Sequence, residues 1–263
     1  MRAKLLGLLK VYEEEVTLLM WTAALLFIIR SSGVILNNYA ETAFLKRSGV
    51  EYLPIVNMLN AVATFFITGV LTVFLGKMSG ARLLSYVFIL SGISVTVIRL
   101  LIPFGFDLLY PLLFMLKSQF ELLQALLFWN MCNDLFNTRQ SKRLFSLLTA
   151  GGVVGLILGS VGTPYFAKAF NLDNLLYLYL GTVLVGAILV EMMGRNYATV
   201  IFPEKTFKPG KKKPSMIQEF KDVYPLIKDS LLIKIVLVLT FMPNVVIPII
   251  NYQFNVFLFT FHV

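Results

Sequence analysis

Apolar residues are concentrated in seven stretches of this 263-residue chain. Six of them follow one another at short intervals, and the seventh comes after a basic segment. The stretches lie at 16–38, 54–76, 83–102, 108–132, 145–168, 175–194 and 230–250. A helix needs roughly 20 mainly apolar residues to cross the hydrocarbon core of a bilayer. The pattern therefore predicts seven transmembrane helices.

The composition agrees with helices in lipid. Hydrophobic residues make up 58% of the chain and charged residues 14%, with a mean hydropathy of +0.80. A water-soluble domain of this size cannot bury so much apolar surface. Lipid offers no hydrogen-bond partner to an open backbone, and helices satisfy their backbone groups internally. We therefore predict an all-α membrane protein.

The basic residues are distributed unevenly between alternate loops. Sixteen of the 23 Lys and Arg residues fall in one set of segments and three in the other. The basic set is 1–15, 77–82, 133–144 and 195–229, and the other set is 39–53, 103–107 and 168–174. Cytoplasmic loops carry such an excess, which predicts a cytoplasmic N-terminus. The net charge of +9 therefore indicates contact with anionic lipid headgroups and not with nucleic acid.

These patterns divide the chain into four predicted parts. They are a cytoplasmic N-terminal segment (1–15), a six-helix transmembrane bundle (16–194), a basic cytoplasmic linker (195–229) and a seventh transmembrane helix that starts a second bundle (230–263). Within the linker, Ser215 and Gln218 have the spacing of a capping box. We therefore expect an amphipathic helix there, lying along the inner membrane surface.

Some charged residues lie inside the predicted helices. A charge in mid-membrane costs roughly 2.5–3.5 kcal/mol on insertion scales, so each one needs a reason. Arg99 and Lys234 lie near the ends of their helices and can extend to the headgroups. Arg30, Lys117 and Glu121 lie deeper, and they are candidate functional residues.

Polar residues recur at helical spacing in two of the helices. One stripe, on the fourth helix, consists of Lys117, Glu121, Gln124 and Phe128. The other, on the second helix, consists of Asn57, Asn60, Thr64 and Thr68. Contact with lipid is unfavourable for such stripes, so we expect them to face each other or a water-filled cavity.

Two interpretations of the charged residues stay open. In the first, Arg30 pairs with Glu121, and the polar stripes only hold helices together. In the second, Arg30, Lys117 and Glu121 line a cavity of net positive charge that attracts an anionic solute. Glu121 then holds Lys117 while the site is empty and releases it when the solute binds, or it carries a coupling proton.

Three further side chains have roles in the second interpretation. Gln124 and Asn60 orient the solute, and Trp129 offers a ring for stacking if it lines the cavity. Anchoring at the membrane interface is the more usual role of a tryptophan in such a protein.

Several kinds of chemistry are missing from the sequence. It has no Gly-x-x-x-x-Gly-Lys-[Ser/Thr] loop for nucleotide hydrolysis. One histidine, His262, and one cysteine, Cys132, cannot form a metal cluster or a nucleophile–base pair. We therefore expect no enzyme activity, no metal site and no cofactor.

The fifth helix is rich in glycine. Gly151, Gly155 and Gly159 follow one another at intervals of four and put a smooth strip on one face. Another helix can approach such a strip closely. We expect the strip to serve helix packing.

One segment of the chain resembles a known family of carriers. From Phe128 to Gly159 the sequence reads FWNMCNDLFNTRQSKRLFSLLTAGGVVGLILG. The matching elements are Phe128–Trp129, Asn133, Lys142–Arg143 with Phe145, the glycine-rich start of the fifth helix and the stretch 251–254. On these residues the chain resembles the ATP/ADP translocase family. These are the nucleotide transporters of plastids and obligate intracellular bacteria, distant relatives of the major facilitator superfamily.

The resemblance implies an architecture and an activity. The architecture is a major-facilitator-like six-helix N-terminal bundle with a linker and a seventh transmembrane helix, as in a twelve-helix transporter. The C-terminal bundle is then missing, and the chain is a fragment or half of an assembly. The activity is exchange of ATP for ADP, or of related phosphorylated anionic solutes, by alternating access in the inner (plasma) membrane. Arg30 and Lys117 bind phosphate in this scheme.

Two other functions remain open. One is major-facilitator-type transport of a different solute, such as an organic anion, a peptide or a drug. The other is a non-transporting membrane module that anchors or senses for soluble partner domains.

Overall fold

The computed structural model describes residues 11–197 and 230–261. In these two ranges all regular structure is helical. Most of the predicted N-terminal segment, the predicted amphipathic helix after Pro214 and the single histidine, His262, lie outside the described residues.

The described ranges contain seven long helices, numbered in chain order. They are α1 (Glu13–Ser48), α2 (Leu53–Leu75), α3 (Gly80–Leu101), α4 (Leu109–Leu135), α5 (Thr138–Phe170), α6 (Leu175–Asn196) and α7 (Leu231–Phe261). Short 3₁₀ helices at Val50–Tyr52, Ile102–Phe104 and Leu172–Asn174 connect or extend them.

Six of these helices, α1 to α6, are long and apolar enough to cross a membrane, counted over the described residues. They coincide with the first six predicted transmembrane stretches, so the prediction of a multi-pass helical membrane protein is confirmed for this part of the chain. The seventh predicted stretch falls within α7, and its membrane crossing stays a prediction.

The chain forms two compact units. Of the described residues, the first unit contains 11–49 and 55–197, and the second contains 50–54 and 230–261. In the second unit the 3₁₀ helix Val50–Tyr52 contacts α7. All candidate site residues belong to the first unit.

Helix α1 is the central element of the first unit. It packs against α4, α5 and α6, while α3 packs against α4 and α6. The side chains of Leu25, Leu36 and Phe44 on α1 are fully buried, as are Phe128 on α4 and Tyr179 on α6. The core of the unit therefore forms around α1.

The first helix is longer than the sequence predicted. The prediction ended it at residue 38 and placed 39–53 in a loop, but α1 continues to Ser48. Tyr39, Ala40 and Phe44 are buried and continue the core-facing side of the helix, although charged residues lie between them. The helix ends at Gly49, whose φ of 87° suits glycine.

Helix α5 begins at Thr138, seven residues before the predicted start at 145. Asn137 caps it, since its Oδ1 accepts hydrogen bonds from the backbone N–H groups of Arg139 (3.1 Å) and Gln140 (3.0 Å). In return the Asn137 backbone N–H donates to Gln140 Oε1 at 3.0 Å. This capping box satisfies backbone groups that the first turn of a helix otherwise leaves free.

The glycine strip of α5 faces α1, as the packing interpretation predicted. A Cβ atom built on Gly155 would lie 2.5 Å from the backbone oxygen of Phe27, and one on Gly159 would lie 3.1 Å from that of Ser31. A residue with a side chain would therefore be too close to the α1 backbone at Gly155 and tightly packed against it at Gly159. The strip allows the two helix backbones to touch.

We predict that Gly155→Ala destabilises the protein, although alanine normally favours a helix over glycine. The added methyl group must push α1 away, and overpacking of this kind costs about 1–3 kcal/mol. Thermal unfolding of the detergent-solubilised protein should show a lower midpoint. Gly162→Ala on the same helix is the control, because its Cβ would be 3.9 Å from the nearest atom, in the Phe166 ring. Equal midpoints for the two variants would contradict the close contact.

Candidate functional site: a charged cavity between α1, α4 and α5

Arg30 and Glu121 form an ion pair at the middle of two long helices. Arg30 lies halfway along α1 and Glu121 halfway along α4. The Arg30 Nη1 atom is 3.8 Å from Glu121 Oε1, and the two side chains are 36% and 55% exposed. The pair required by the first interpretation of the sequence is therefore present.

The Arg30–Glu121 pair lies in the wall of a cavity of about 250 Å³. Helices α1, α4 and α5 supply the wall, which consists of Ile29, Arg30, Gly33, Val34, Asn37, Glu121, Ala125 and Leu156. Gly33 leaves open space, since a Cβ built on it would meet no atom within 4 Å. The cavity therefore has one cation, one carboxylate and one amide on otherwise apolar walls.

Lys117 makes a second ion pair, with Glu41 of α1. Its Nζ is 3.4 Å from Glu41 Oε1, and it donates a hydrogen bond to Asn37 Oδ1. The ammonium also lies 4.1 Å from the centre of the Phe114 ring. Asn37 Nδ2 in turn donates to Glu41 Oε2 at 3.2 Å. Lys117 is thus held by three groups.

The sequence interpretation paired Lys117 with Glu121, and the structure corrects it. Each carboxylate pairs across the contact between α1 and α4, Glu121 with Arg30 and Glu41 with Lys117. Two cations and two carboxylates balance, so the expected net positive charge of this site is wrong. Glu121 has no ion pair with Lys117 to release.

The two ion pairs differ in how easily they open. An exposed pair at the distance of Arg30–Glu121 contributes about 0–1 kcal/mol. Lys117 is only 8% exposed, and removing one partner of a fully buried pair costs about 3–5 kcal/mol. Glu41 is 41% exposed, which lowers that cost but leaves the ammonium buried. Arg30 is therefore the cation available to a solute.

Sequence reasoning missed Glu41 because it placed residue 41 in a loop, and Asn37, inside the predicted first helix, was then left without its partner Glu41. Once α1 continues to Ser48, Arg30, Asn37 and Glu41 lie at offsets of seven and eleven on one face. The stripe on α4 has the same offsets. A search for matching stripes on both helices, with α1 extended, could have found the second pair.

Gln124 and Trp129 are not in the cavity wall. Gln124 is 2% exposed, lies beside the Tyr179 hydroxyl, and its Nε2 is buried without a hydrogen-bond partner. The Trp129 ring packs among aromatic rings, 5.3 Å from Phe128 and 5.2 Å from Phe145, measured between ring centres. Both side chains contribute to packing in this arrangement.

Asn60 contacts Gln119 of α4, which is outside the predicted polar stripe. The amide of Gln119, which is 4% exposed, donates hydrogen bonds to the Asn60 side-chain oxygen and to Thr64 Oγ1, the latter at 2.9 Å. The polar stripe of α2 therefore does face a polar group of α4. Gln119 lies two residues from Lys117 and on another face, so the stripe on α4 did not include it.

This polar contact stands out because α2 is otherwise weakly packed. Only Leu53, Val56 and Leu71 of its side chains are buried. Large apolar side chains such as Met58 and Phe66 are 70% and 65% exposed, as expected of a surface that faces lipid. Gln119 is thus a principal polar attachment of α2 to the described bundle.

We compared the chain with known proteins. No family model matches it, and neither does any curated protein sequence or any solved structure. The resemblance to the ATP/ADP translocase family therefore stays a prediction.

We predict strong energetic coupling between Lys117 and Glu41. Glu41→Gln leaves the buried ammonium without a counter-charge, whereas Lys117→Met removes the ammonium itself. In a double-mutant cycle measured by unfolding in mixed micelles, the pair should show a coupling free energy of about 0.5–3 kcal/mol. The same cycle on Arg30→Gln and Glu121→Gln is the control and should give about 0–1 kcal/mol. A coupling no larger than the control would contradict the assignment of Lys117 as the fixed cation.

We also predict that Gln119→Leu loosens α2. The substitution leaves the Asn60 and Thr64 side chains without their partner on α4. Hydrogen exchange in peptides from 55–75 should become faster, while peptides from α5 should keep their protection. Ser118→Ala is the matched control, because the Ser118 hydroxyl bonds only the carbonyl of Phe114 in its own helix, at 3.5 Å. Unchanged exchange in α2 would show that Gln119 does not attach it.

Proposed function

We propose that the protein is a secondary transporter of anionic solutes, and that Arg30 is the group that binds the anion. The observation that carries the proposal is the weak, half-exposed Arg30–Glu121 pair at the middle of the helices, open to a cavity. A charge at that depth is costly unless it has a partner or a function. The two side chains are 3.8 Å apart and partly exposed, so the pair leaves the guanidinium accessible from the cavity.

Binding of an anion would open the pair. A guanidinium presents several N–H donors in a plane and matches a phosphate or carboxylate group in a bidentate manner. Glu121 would move away from Arg30 and accept a hydrogen bond from a hydroxyl or amine of the solute. Lys117 keeps its contacts with Glu41 and Asn37 in this scheme and holds α1 against α4.

Nucleotides are the proposed cargo, in exchange of ATP for ADP or of related phosphorylated solutes. The resemblance between residues 128–159 and the ATP/ADP translocase family supports this choice. The cavity volume of about 250 Å³ lies below the usual 300–1,000 Å³ of small-molecule sites. A nucleotide site therefore needs additional residues around this cavity, which a second bundle would supply.

The proposal includes a major-facilitator-like arrangement in the inner (plasma) membrane. The six apolar helices and the basic segment that follows them support it. Alternating access would then move the six-helix bundle against a second bundle around the site. The excess of Lys and Arg in one set of loops supports a cytoplasmic N-terminus.

We expect Arg30→Gln to reduce exchange of labelled ADP by roughly tenfold or more, since it removes charge-assisted hydrogen bonds to the solute. The assay is counterflow in liposomes with the complete protein, normalised to the amount of inserted protein. Gly33→Leu should reduce exchange as well, because it fills the cavity beside Arg30, one helical turn away, without changing any charge.

Arg47→Gln is the matched control for that assay. Arg47 is also on α1, but it stacks on Tyr110 near the end of the helix, 5.5 Å from the ring centre. It should retain exchange. Normal ADP exchange by Arg30→Gln would refute the role of Arg30. Counterflow of another anion, but not of ADP, would support a transporter with a different solute. No counterflow of any anion by the inserted wild type would favour the anchoring or sensing module.

A further inference from the structure

Arg99 lies two residues before the end of α3 and has few partners for a cation in an apolar helix. Its Nη2 donates a long hydrogen bond of 3.4 Å to Asn174 Oδ1. Its guanidinium lies over the Tyr177 ring, 5.4 Å from the centre. The Arg99 Nε atom is buried and makes no hydrogen bond. The guanidinium has five N–H donors, so most of its hydrogen-bonding capacity is unused.

No carboxylate of the described residues lies within ion-pair distance of Arg99. The nearby acid, Asp173, precedes Asn174 in the chain and accepts a hydrogen bond from the Tyr39 hydroxyl at 2.9 Å. Arg99 is therefore a cation without an ion-pair partner among the described residues, at the end of the bundle where α3 and α5 finish and α6 begins.

A cavity of about 320 Å³ lies beside this cation. Its wall consists of Phe166, Phe170, Asn174, Leu175, Tyr177 and Leu178. Two of these residues, Asn174 and Tyr177, are the ones that hold Arg99. The Phe166 and Phe170 rings stack 6.3 Å apart and are partly exposed. The cavity wall is thus mainly apolar, and Arg99 adjoins it through Asn174 and Tyr177.

We propose that this cavity binds a phospholipid, with the phosphate on Arg99 and an acyl chain against Phe166, Phe170 and Leu178. The cation matches the phosphate in charge, and a guanidinium matches it in geometry. The aromatic wall matches the acyl chain, and the end of a membrane helix is the depth at which lipid headgroups lie. The site is separate from the Arg30–Glu121 cavity, since the two share no wall residue.

The test is thermal unfolding of the complete, delipidated protein in detergent with added lipid. Phosphatidylglycerol should raise the unfolding midpoint in a saturable manner. Arg99→Gln should weaken the apparent affinity roughly tenfold or more, the effect of losing a charge-assisted contact. Arg47→Gln is the matched control, since Arg47 also stacks on a tyrosine at a helix end, and it should behave as the wild type.

Two further probes separate the parts of the ligand. Diacylglycerol lacks the phosphate and inorganic phosphate lacks the acyl chains, so neither should stabilise the protein as phosphatidylglycerol does. Equal stabilisation by inorganic phosphate would overturn the proposal in favour of a free-anion site. Equal stabilisation by diacylglycerol, or full affinity in Arg99→Gln, would overturn it in favour of an apolar groove.

A second variant covers the case in which Arg99→Gln does not fold. Phe170→Ala removes an exposed ring of the wall and leaves Arg99 in place. It should weaken phosphatidylglycerol binding several-fold while leaving the midpoint without lipid unchanged. Unchanged binding by Phe170→Ala would overturn the proposed position of the acyl chain.

Discussion

The close contact between α1 and α5 constrains the rotation of α1, the helix that carries Arg30 and Glu41. Gly155 and Gly159 leave no room for a side chain against Phe27 and Ser31. Arg30 lies between those two α1 residues in the chain, so the face it presents to the cavity is set by the glycine strip. Rotation of α1 about its axis would move side chains into the α5 backbone. The site therefore depends on a contact between groups that carry no charge.

The ion pairs between α1 and α4 follow from the cost of charge in an apolar environment. The helices present a cation and a carboxylate each, and antiparallel packing brings each cation to the carboxylate of the other helix. Burial then separates the roles of the two pairs. Lys117 is enclosed by Glu41, Asn37 and the Phe114 ring, whereas the other pair opens to the cavity. Burial thus distinguishes an enclosed ion pair from one that opens to the cavity, although both join a cation and a carboxylate.

The contacts of the first unit differ in how tightly they hold the helices together. The α1–α5 contact is tight, and the Lys117–Glu41 pair is enclosed. Helix α2, by contrast, shows mostly exposed side chains and a polar attachment through Gln119. Elements with few buried apolar contacts open at lower free energy than the core.

The pattern of residues along the chain predicted the helices and several of the residues described above. Length and apolarity of each stretch predicted seven helices, and the six in the first unit are confirmed, because crossing a bilayer is a property of one segment at a time. The cost of embedded charge pointed to Arg30 and Glu121, and glycine spacing predicted the packing of α5. Only the tertiary structure decided the partners: Glu41 for Lys117, Gln119 for Asn60, and aromatic neighbours for Trp129. A helix turns about 100° per residue, so small changes in its end or rotation change which side chains meet. The residue pattern of one helix does not show how its neighbours are rotated about their axes. Packing between the helices sets that rotation.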